Sequence, residues 1–357
     1  MHQPRADEAR GRWPKAEPAG PMSQGGRDRP DDGHQPTHCR SVRDLILSGQ
    51  RNVMKQPSHV LAAFVLMLGF GLVGAWPVGA AAGDTVADVI TPEGPVPEIG
   101  VTFDGQYLYY AERNGTVLHR IDIPPLCGNP CVSTTPTGHI DIPITWPAAL
   151  LGIEGVNAMS YDARRGVFWA IGADGLSIYQ LTKTGIATLA FNIDPVQGRP
   201  GNCKTTICFT SLVDGLAYDA ADDTIWYKPD ASNRIYHYLT QGDMLGKAIL
   251  APTPYIDTDV APNDLASQCG FNYPSWVVVG GADLFVGADR CQYYFEFTKT
   301  GTMVGWTAYN FKGTPDGDAE CDNLSYAVSV FWARDVNDGH IRASEQPAAA
   351  ACVYGGG

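Results

Sequence analysis

One phrase recurs five times between residues 100 and 345, and it constrains the fold more than any other feature. Each copy has a short strand ending on an aromatic or apolar residue, an Asp- or Gly-rich turn, an aromatic strand, a second turn and a third strand. The copies read GVTFDGQYLYYAERNGTVLHRIDI from Gly100, AMSYDARRGVFWAIGADGLSIYQLTKTG from Ala158 and GLAYDAADDTIWYKPDASNRIYHYLTQGD from Gly215. The last two are WVVVGGADLFVGADRCQYYFEFTKTG from Trp276 and NLSYAVSVFWARDVNDGHIRASE from Asn323. Phe103, Tyr161, Tyr218 and Tyr326 fall in register, as do Tyr109, Trp169, Trp226 and Trp332. The tetrad Thr182–Gly185 recurs as Thr298–Gly301.

Repeats of this length without helical periodicity predict an all-β chain, with each copy one small antiparallel sheet. A single sheet cannot bury both faces, so successive sheets pack on one another in a ring. The expected architecture is a β-propeller of five blades, with a sixth, degenerate blade also open. The 16 Tyr and 12 Phe are then explained by blade packing without any ligand.

Upstream of the repeats the chain changes character. Residues 1–53 are rich in Pro, Gly, Arg and Asp and contain no core-forming run, which reads as a disordered head or an upstream extension before a start at Met54. Residues 54–82 have the layout of a secretory signal peptide: Lys55, the apolar run from Val60 to Ala75, and small residues at Ala80–Ala82. An uncleaved leader is the alternative, and the only route to a membrane. Residues 83–357 form the expected propeller domain.

Eight of the nine Cys lie in that domain, as Cys127/Cys131, Cys203/Cys208, Cys269, Cys291, Cys321 and Cys352. An even number of cysteines lacking zinc-ligand spacing predicts disulfides and a secreted or periplasmic location. Topology suggests Cys269 with Cys291 and Cys321 with Cys352. Of 25 Lys/Arg and 38 Asp/Glu, residues 1–55 hold ten and seven, which leaves the propeller strongly acidic. A body of that charge excludes nucleic acid as the main partner.

The residue before each innermost strand faces the mouth of the central channel. Anchored on Tyr218, that position is Asp214 in the third copy, Asn157 in the second and Asp322 in the fifth, with Glu98 beside Ile99 in the first. Oxygen donors converging from several blades suit a divalent cation, calcium above all, and a carboxylate there can serve as a base. Asp104, Asp162, Asp219 and Asp222 read instead as turn residues. His119 and His237, on third strands away from the channel, read as packing or surface residues. No GxSxG elbow, Walker loop or GxGxxG loop is present.

The phrase Val213–Asp219 (VDGLAYD), followed by Thr224–Tyr227 and Asn233–Tyr236, resembles the calcium-dependent propellers of the gluconolactonase/senescence-marker-protein family, and NHL-repeat propellers more loosely. Glu93–Pro95 and Asp104–Tyr109 are similar to that family's opening blade, although neither Glu93 nor Glu98 keeps its spacing. The resemblance implies Asp214 as metal ligand and catalytic base and Asn157 as ligand, with Asp322 standing where an Asn is expected. The expected function is a cation- and small-ligand-binding propeller, with lactonase or ester-type hydrolysis as its enzymatic form. The alternative is a non-catalytic propeller that recognises an extracellular protein or glycan through segments 194–212 and 251–274.

Overall fold

A computed structural model describes residues 81–95, 99–193, 212–261, 264–270, 273–288, 291–309, 317–335, 337–347 and 352. Residues 1–53 and all but the last two residues of the expected leader lie outside these ranges. Five four-stranded antiparallel sheets form five propeller blades, and the six-blade alternative falls away. Among the described residues no helix is long and apolar enough to cross a membrane.

The first strand, Thr85–Ile90 (β1), belongs to the last blade. Blade 1 comprises Ile99–Phe103 (β2), Tyr107–Glu112 (β3), Val117–Asp122 (β4) and Ile140–Pro143 (β5). Blade 2 comprises Ala158–Asp162 (β6), Val167–Ile171 (β7), Ser177–Thr182 (β8) and Ala187–Asn192 (β9). Blade 3 comprises Val213–Asp219 (β10), Thr224–Pro229 (β11), Arg234–Gly242 (β12) and Ala248–Asp257 (β13). A short helix, Leu265–Cys269 (α1), precedes blade 4, which comprises Pro274–Gly280 (β14), Asp283–Ala288 (β15), Cys291–Thr298 (β16) and Met303–Ala308 (β17). Blade 5 comprises Ala319–Asp322 (β18), Val330–Asp335 (β19), His340–Glu345 (β20) and, on its outside, β1.

The two ends of the propeller domain therefore close the ring. Backbone pairing runs from Thr85↔Ser344 to Ile90↔His340. The outer edge of β1 is covered in turn by the connection between β4 and β5, where Cys127 N–H donates to Val86 O, and Ile90 N–H to Thr134 O. The Cys127–Cys131 disulfide sits in that connection. A covered edge cannot pair with another chain.

Cys269–Cys291 and Cys321–Cys352 are also disulfide-bonded, as topology suggested. Cys203 and Cys208 lie outside the described residues. Two sequence readings need correction. Residues 251–257 are strand (β13), not connection. In the fifth copy Tyr326 is out of register: it lies in the connection Asn323–Ser329, and Cys321 takes the place of Tyr161 and Tyr218. The connection there is longer than in the other blades, and it displaced the pattern.

Every inter-blade interface is aromatic and aliphatic. Trp169, Trp226, Trp276 and Trp332 are fully buried, and contacts such as Tyr109–Phe168 and Phe285–Phe331 join successive blades with ring centroids 4.8 and 5.0 Å apart. An Asp ending the innermost strand braces the tryptophan of the next strand. Asp162, Asp219 and Asp322 accept from the indole N–H of Trp169, Trp226 and Trp332 at 3.2, 3.4 and 2.9 Å, and from backbone N–H groups of their own turns.

The repeated tetrad has a purpose in this frame. Lys183 pairs with Asp104 of the preceding blade at 2.5 Å, and Lys299 pairs with Asp219 in the same way. The Asp219 carboxylate is almost wholly buried, so losing the ammonium leaves its charge uncompensated. We expect Lys299→Met to cost about 1–3 kcal/mol in urea unfolding. Lys183, more exposed, should cost less on the same substitution. Equal, negligible effects would show that neither lysine couples neighbouring blades.

Candidate functional site

The innermost strands turn their N–H groups toward the channel axis, where inward-facing donors need acceptors. Blade 5 supplies them. Asp318 reaches across the channel to accept from Met159 N–H at 2.6 Å, Leu216 N–H at 3.2 Å and Val101 N–H at 3.3 Å, one on each of blades 2, 3 and 1. One layer further along, Glu320 accepts from Thr102 Oγ1 at 2.7 Å, Ser160 Oγ at 3.0 Å and the N–H groups of Tyr161 and Cys321 at 3.1 Å. Ser160 Oγ in turn accepts from Tyr218 N–H. Both acids are buried, and sequence reasoning missed them. Their signal was the alternation Asp318-x-Glu320-x-Asp322, the period of a strand, in a segment read as a connection.

The same pairing locates the expected mouth residues. Asn157 and Asp214 occupy one register position, immediately before Ala158 and Gly215, and blade 5 has Gly317 there. Asp322 is five residues further on, at the opposite end of β18, holding Trp332. The structure thus brings Asn157 and Asp214 into one layer and excludes Asp322 from it. Glu98 lies outside the described residues.

Asp214 is not a bare carboxylate. Lys228 Nζ, completely buried, donates to its Oδ2 at 2.9 Å and to Pro229 O at 2.5 Å. Asp214 itself keeps 14% of its side chain exposed. Asn157 Nδ2 donates to Gly172 O at 2.8 Å. A calcium ion wants six to eight oxygen donors. A layer in which the acid already faces an ammonium does not fit one, because the two cations would repel at short range.

A donor set suited to a metal occurs elsewhere. Glu93, His119, His139 and Asp141 bring one ligand atom each within 4.8 Å of one another. His119 and Asp141 are paired residues of β4 and β5, His139 immediately precedes β5, and Glu93 lies in the turn after β1. Tyr110, paired with His119 on β3, donates its O–H to Glu93 Oε2 at 2.8 Å. Burial pushes the Tyr110 phenol well above its ordinary range, with the Glu93 hydrogen bond adding to the effect. The Tyr110, His119 and His139 rings stack in sequence, with centroids 4.7 and 5.6 Å apart. Reading His119 as a packing residue was incomplete. His237 does pack, face to face on Trp226 at 3.7 Å.

Neither a protein-family model nor a curated protein matches the chain. Among solved structures, glutaminyl cyclase from Myxococcus xanthus is similar over 72% of this chain and 94% of that one, at 9% identity and a TM-score of 0.45. The calcium-binding protein regucalcin from Agrobacterium tumefaciens is similar over 76% and 98%, at 12% identity and a TM-score of 0.43. A gluconolactonase from Xanthomonas campestris is similar over 67% and 68%, at 12% identity and a TM-score of 0.37. The chain is similar to these propellers at low identity, and its own five-sheet order carries the fold.

Burial raises the Glu320 carboxyl to about 7, against which its four donors pull downward, and it raises Asp318 well above the usual carboxylate range. An unfolded glutamate titrates near 4.3. The folded chain thus binds the Glu320 proton more tightly, and its contribution to stability is full below the unfolded value and is lost as pH rises through 7. The loss is about 4 kcal/mol above pH 8. We expect the melting temperature to fall between pH 5 and 8, and Glu320→Gln to flatten that slope. A variant with the wild-type slope would mean that Glu320 does not take up the proton.

Proposed function

We propose that the protein is an exported propeller that binds a small ligand at the mouth of its channel and hydrolyses a lactone or ester there, with Asp214 as the base. The observation that carries this reading is the Asp214–Lys228 pair: a partly exposed carboxylate in the mouth layer, fixed in orientation by a buried ammonium. A carboxylate so placed can take a proton from an attacking water, and Lys228 stays out of contact with solvent and acts only by positioning it. Asp318 and Glu320 fill the channel beyond the mouth, which favours a small molecule over a threaded polymer. Asn157 supplies a polar neighbour in the same layer. The disulfides support export to an oxidising compartment.

The calcium expected at this layer is replaced, in this reading, by the Lys228 charge. The recognition alternative gains no support, since residues 194–211 lie outside the described ranges and 251–257 belong to β13.

A panel of lactones and esters, assayed with and without EDTA, tests the proposal. We expect EDTA-insensitive turnover of at least one member, reduced at least ~100-fold in Asp214→Asn at a temperature where that variant is still folded. The Asn amide oxygen still accepts from Lys228, but the buried ammonium loses its counter-charge, so the melting temperature should fall while the circular dichroism of the folded state is kept. Equal turnover in the two proteins would overturn Asp214 as base. Calcium binding that vanishes in Asp214→Asn would restore a cation to the mouth.

A further inference from the structure

The Glu93–His119–His139–Asp141 cluster lies away from the channel, at the seam where the ring closes. Glu93 is carried by the turn Thr91–Gly94, which leaves β1 of blade 5. That turn is pinned to the β19–β20 hairpin by Thr91 N–H and Oγ1–H, which both donate to Gly339 O, at 3.0 and 2.9 Å. The Arg334 NH2 group donates to Gly94 O at 3.0 Å, with its guanidinium 5.5 Å from the Tyr110 ring centroid. The other three residues belong to blade 1. The cluster therefore joins the strand that closes the propeller to the first blade.

The spacing of the ligand atoms is informative. His119 Nδ1 lies 2.8 Å from Asp141 Oδ1 and 3.5 Å from Glu93 Oε1. His139 Nε2 lies 3.3 Å from Asp141 Oδ1 and 3.7 Å from Glu93 Oε1. A tetrahedral ion with bonds of about 2.0–2.1 Å holds its ligands about 3.3 Å apart. The four measured edges straddle that value. The His119–Asp141 edge is also of hydrogen-bond length, and His139 Nε2 lies 3.3 Å from the Tyr110 hydroxyl as well; the edges that hydrogen bonding leaves unfilled are the two to Glu93 Oε1.

The chemistry of the donors narrows the ion. Two imidazoles with two carboxylates suit a first-row transition metal, zinc above all, whereas calcium and magnesium select all-oxygen shells. The outer contacts are those a metal site needs. Tyr110 O–H holds Glu93 Oε2, leaving Oε1 toward the imidazoles, and the stacked rings fix both histidines in plane. The Gly138 backbone sits at φ +60°, and a Cβ there would fall 2.3 Å from Asp122 Oδ1. Glycine at this position sets the approach of His139. Asp141 is the open side, with 62% of its side chain exposed.

We propose that Glu93, His119, His139 and Asp141 form a transition-metal site, occupied by Zn²⁺, that staples the closing strand of the propeller to blade 1. The site is independent of the channel mouth and of the hydrolytic reading.

Zn²⁺ and Co²⁺ titrations of the EDTA-stripped protein test it, followed by calorimetry and by the visible absorption of Co²⁺. The expected result is one ion per chain, a tetrahedral-type Co²⁺ spectrum and a melting temperature that rises with Zn²⁺ concentration. His139→Ala and Asp141→Asn, both at solvent-accessible positions, should weaken binding at least ~10-fold while leaving the melting temperature of the stripped protein unchanged. Asp214→Asn should bind Zn²⁺ like the wild type. Zn²⁺ binding that is absent, or that is equal in wild type and in the His139→Ala/Asp141→Asn double variant, would overturn the site. Binding of Ca²⁺ in preference to Zn²⁺ at these residues would overturn the donor-set argument.

Discussion

Two acids from one blade hold the inner ring together. Asp318 and Glu320 belong to the innermost part of blade 5, yet their partners lie on blades 1, 2 and 3. Inward-facing N–H groups along a propeller channel must find acceptors, and in many sites water can serve. Here carboxylates take that role, so the inner rim is fixed by side chains that cannot leave. The cost is desolvation of two acids in close proximity, visible in the upward shift of both. Glycine at position 215 completes the arrangement: a Cβ there would fall 2.8 Å from Val277 N, so only a bare backbone allows blades 3 and 4 this close.

Because those acids come from the last blade, the inner ring forms only when blade 5 forms, and blade 5 needs β1 from the other end of its domain. Sequence-distant segments must meet before the channel donors are satisfied. The supporting contacts cluster accordingly. Asp88 on β1 accepts from Ser133 of the blade 1 connection and from Arg342 of β20, and contacts His340 at 2.7 Å. A connection held by Cys127–Cys131 covers the same strand. The seam is thus the most heavily braced part of the ring, as expected where loop closure costs most entropy.

The blade pattern was legible in the sequence because strand period, turn chemistry and aromatic spacing all agree in copies two and three. Disulfides Cys269–Cys291 and Cys321–Cys352 followed from the same topology. What hid the rest was length variation. Asp322 and Trp332 are ten residues apart, whereas Asp162/Trp169 and Asp219/Trp226 are seven apart. Three extra residues made a brace look like a channel ligand and left Asp318 and Glu320 in an apparent loop. The N-terminal strand was invisible for another reason: its partners lie some 250 residues away, and no local pattern records that pairing. The seam cluster is similarly non-local, assembled from a turn, two strands and a strand entry. Asp214 and Asn157 were placed correctly in one layer, but nothing near Asp214 announced a lysine on the neighbouring strand, 14 residues on.

The distribution of partners among the acids gives the seam its distinct character. Asp104, Asp162, Asp214 and Asp219 each face a lysine or arginine within 4 Å, and Asp318 and Glu320 face converging N–H and O–H donors. The interior is therefore balanced acid by acid, which a propeller with so large a negative charge requires. Glu93 and Asp141 are held differently: among the described residues their contacts within 4 Å are two imidazole nitrogens and a phenol, and the Arg334 charge acts on Glu93 from further off. Arg334, whose Nε and NH1 have no hydrogen-bond partner among the described residues, is fully buried behind Tyr110 and directs its remaining nitrogen to the Gly94 carbonyl, not to either carboxylate. A divalent ion at the centre of those four donors would bring a positive charge into direct contact with both carboxylates, at the junction where the two ends of the domain are joined.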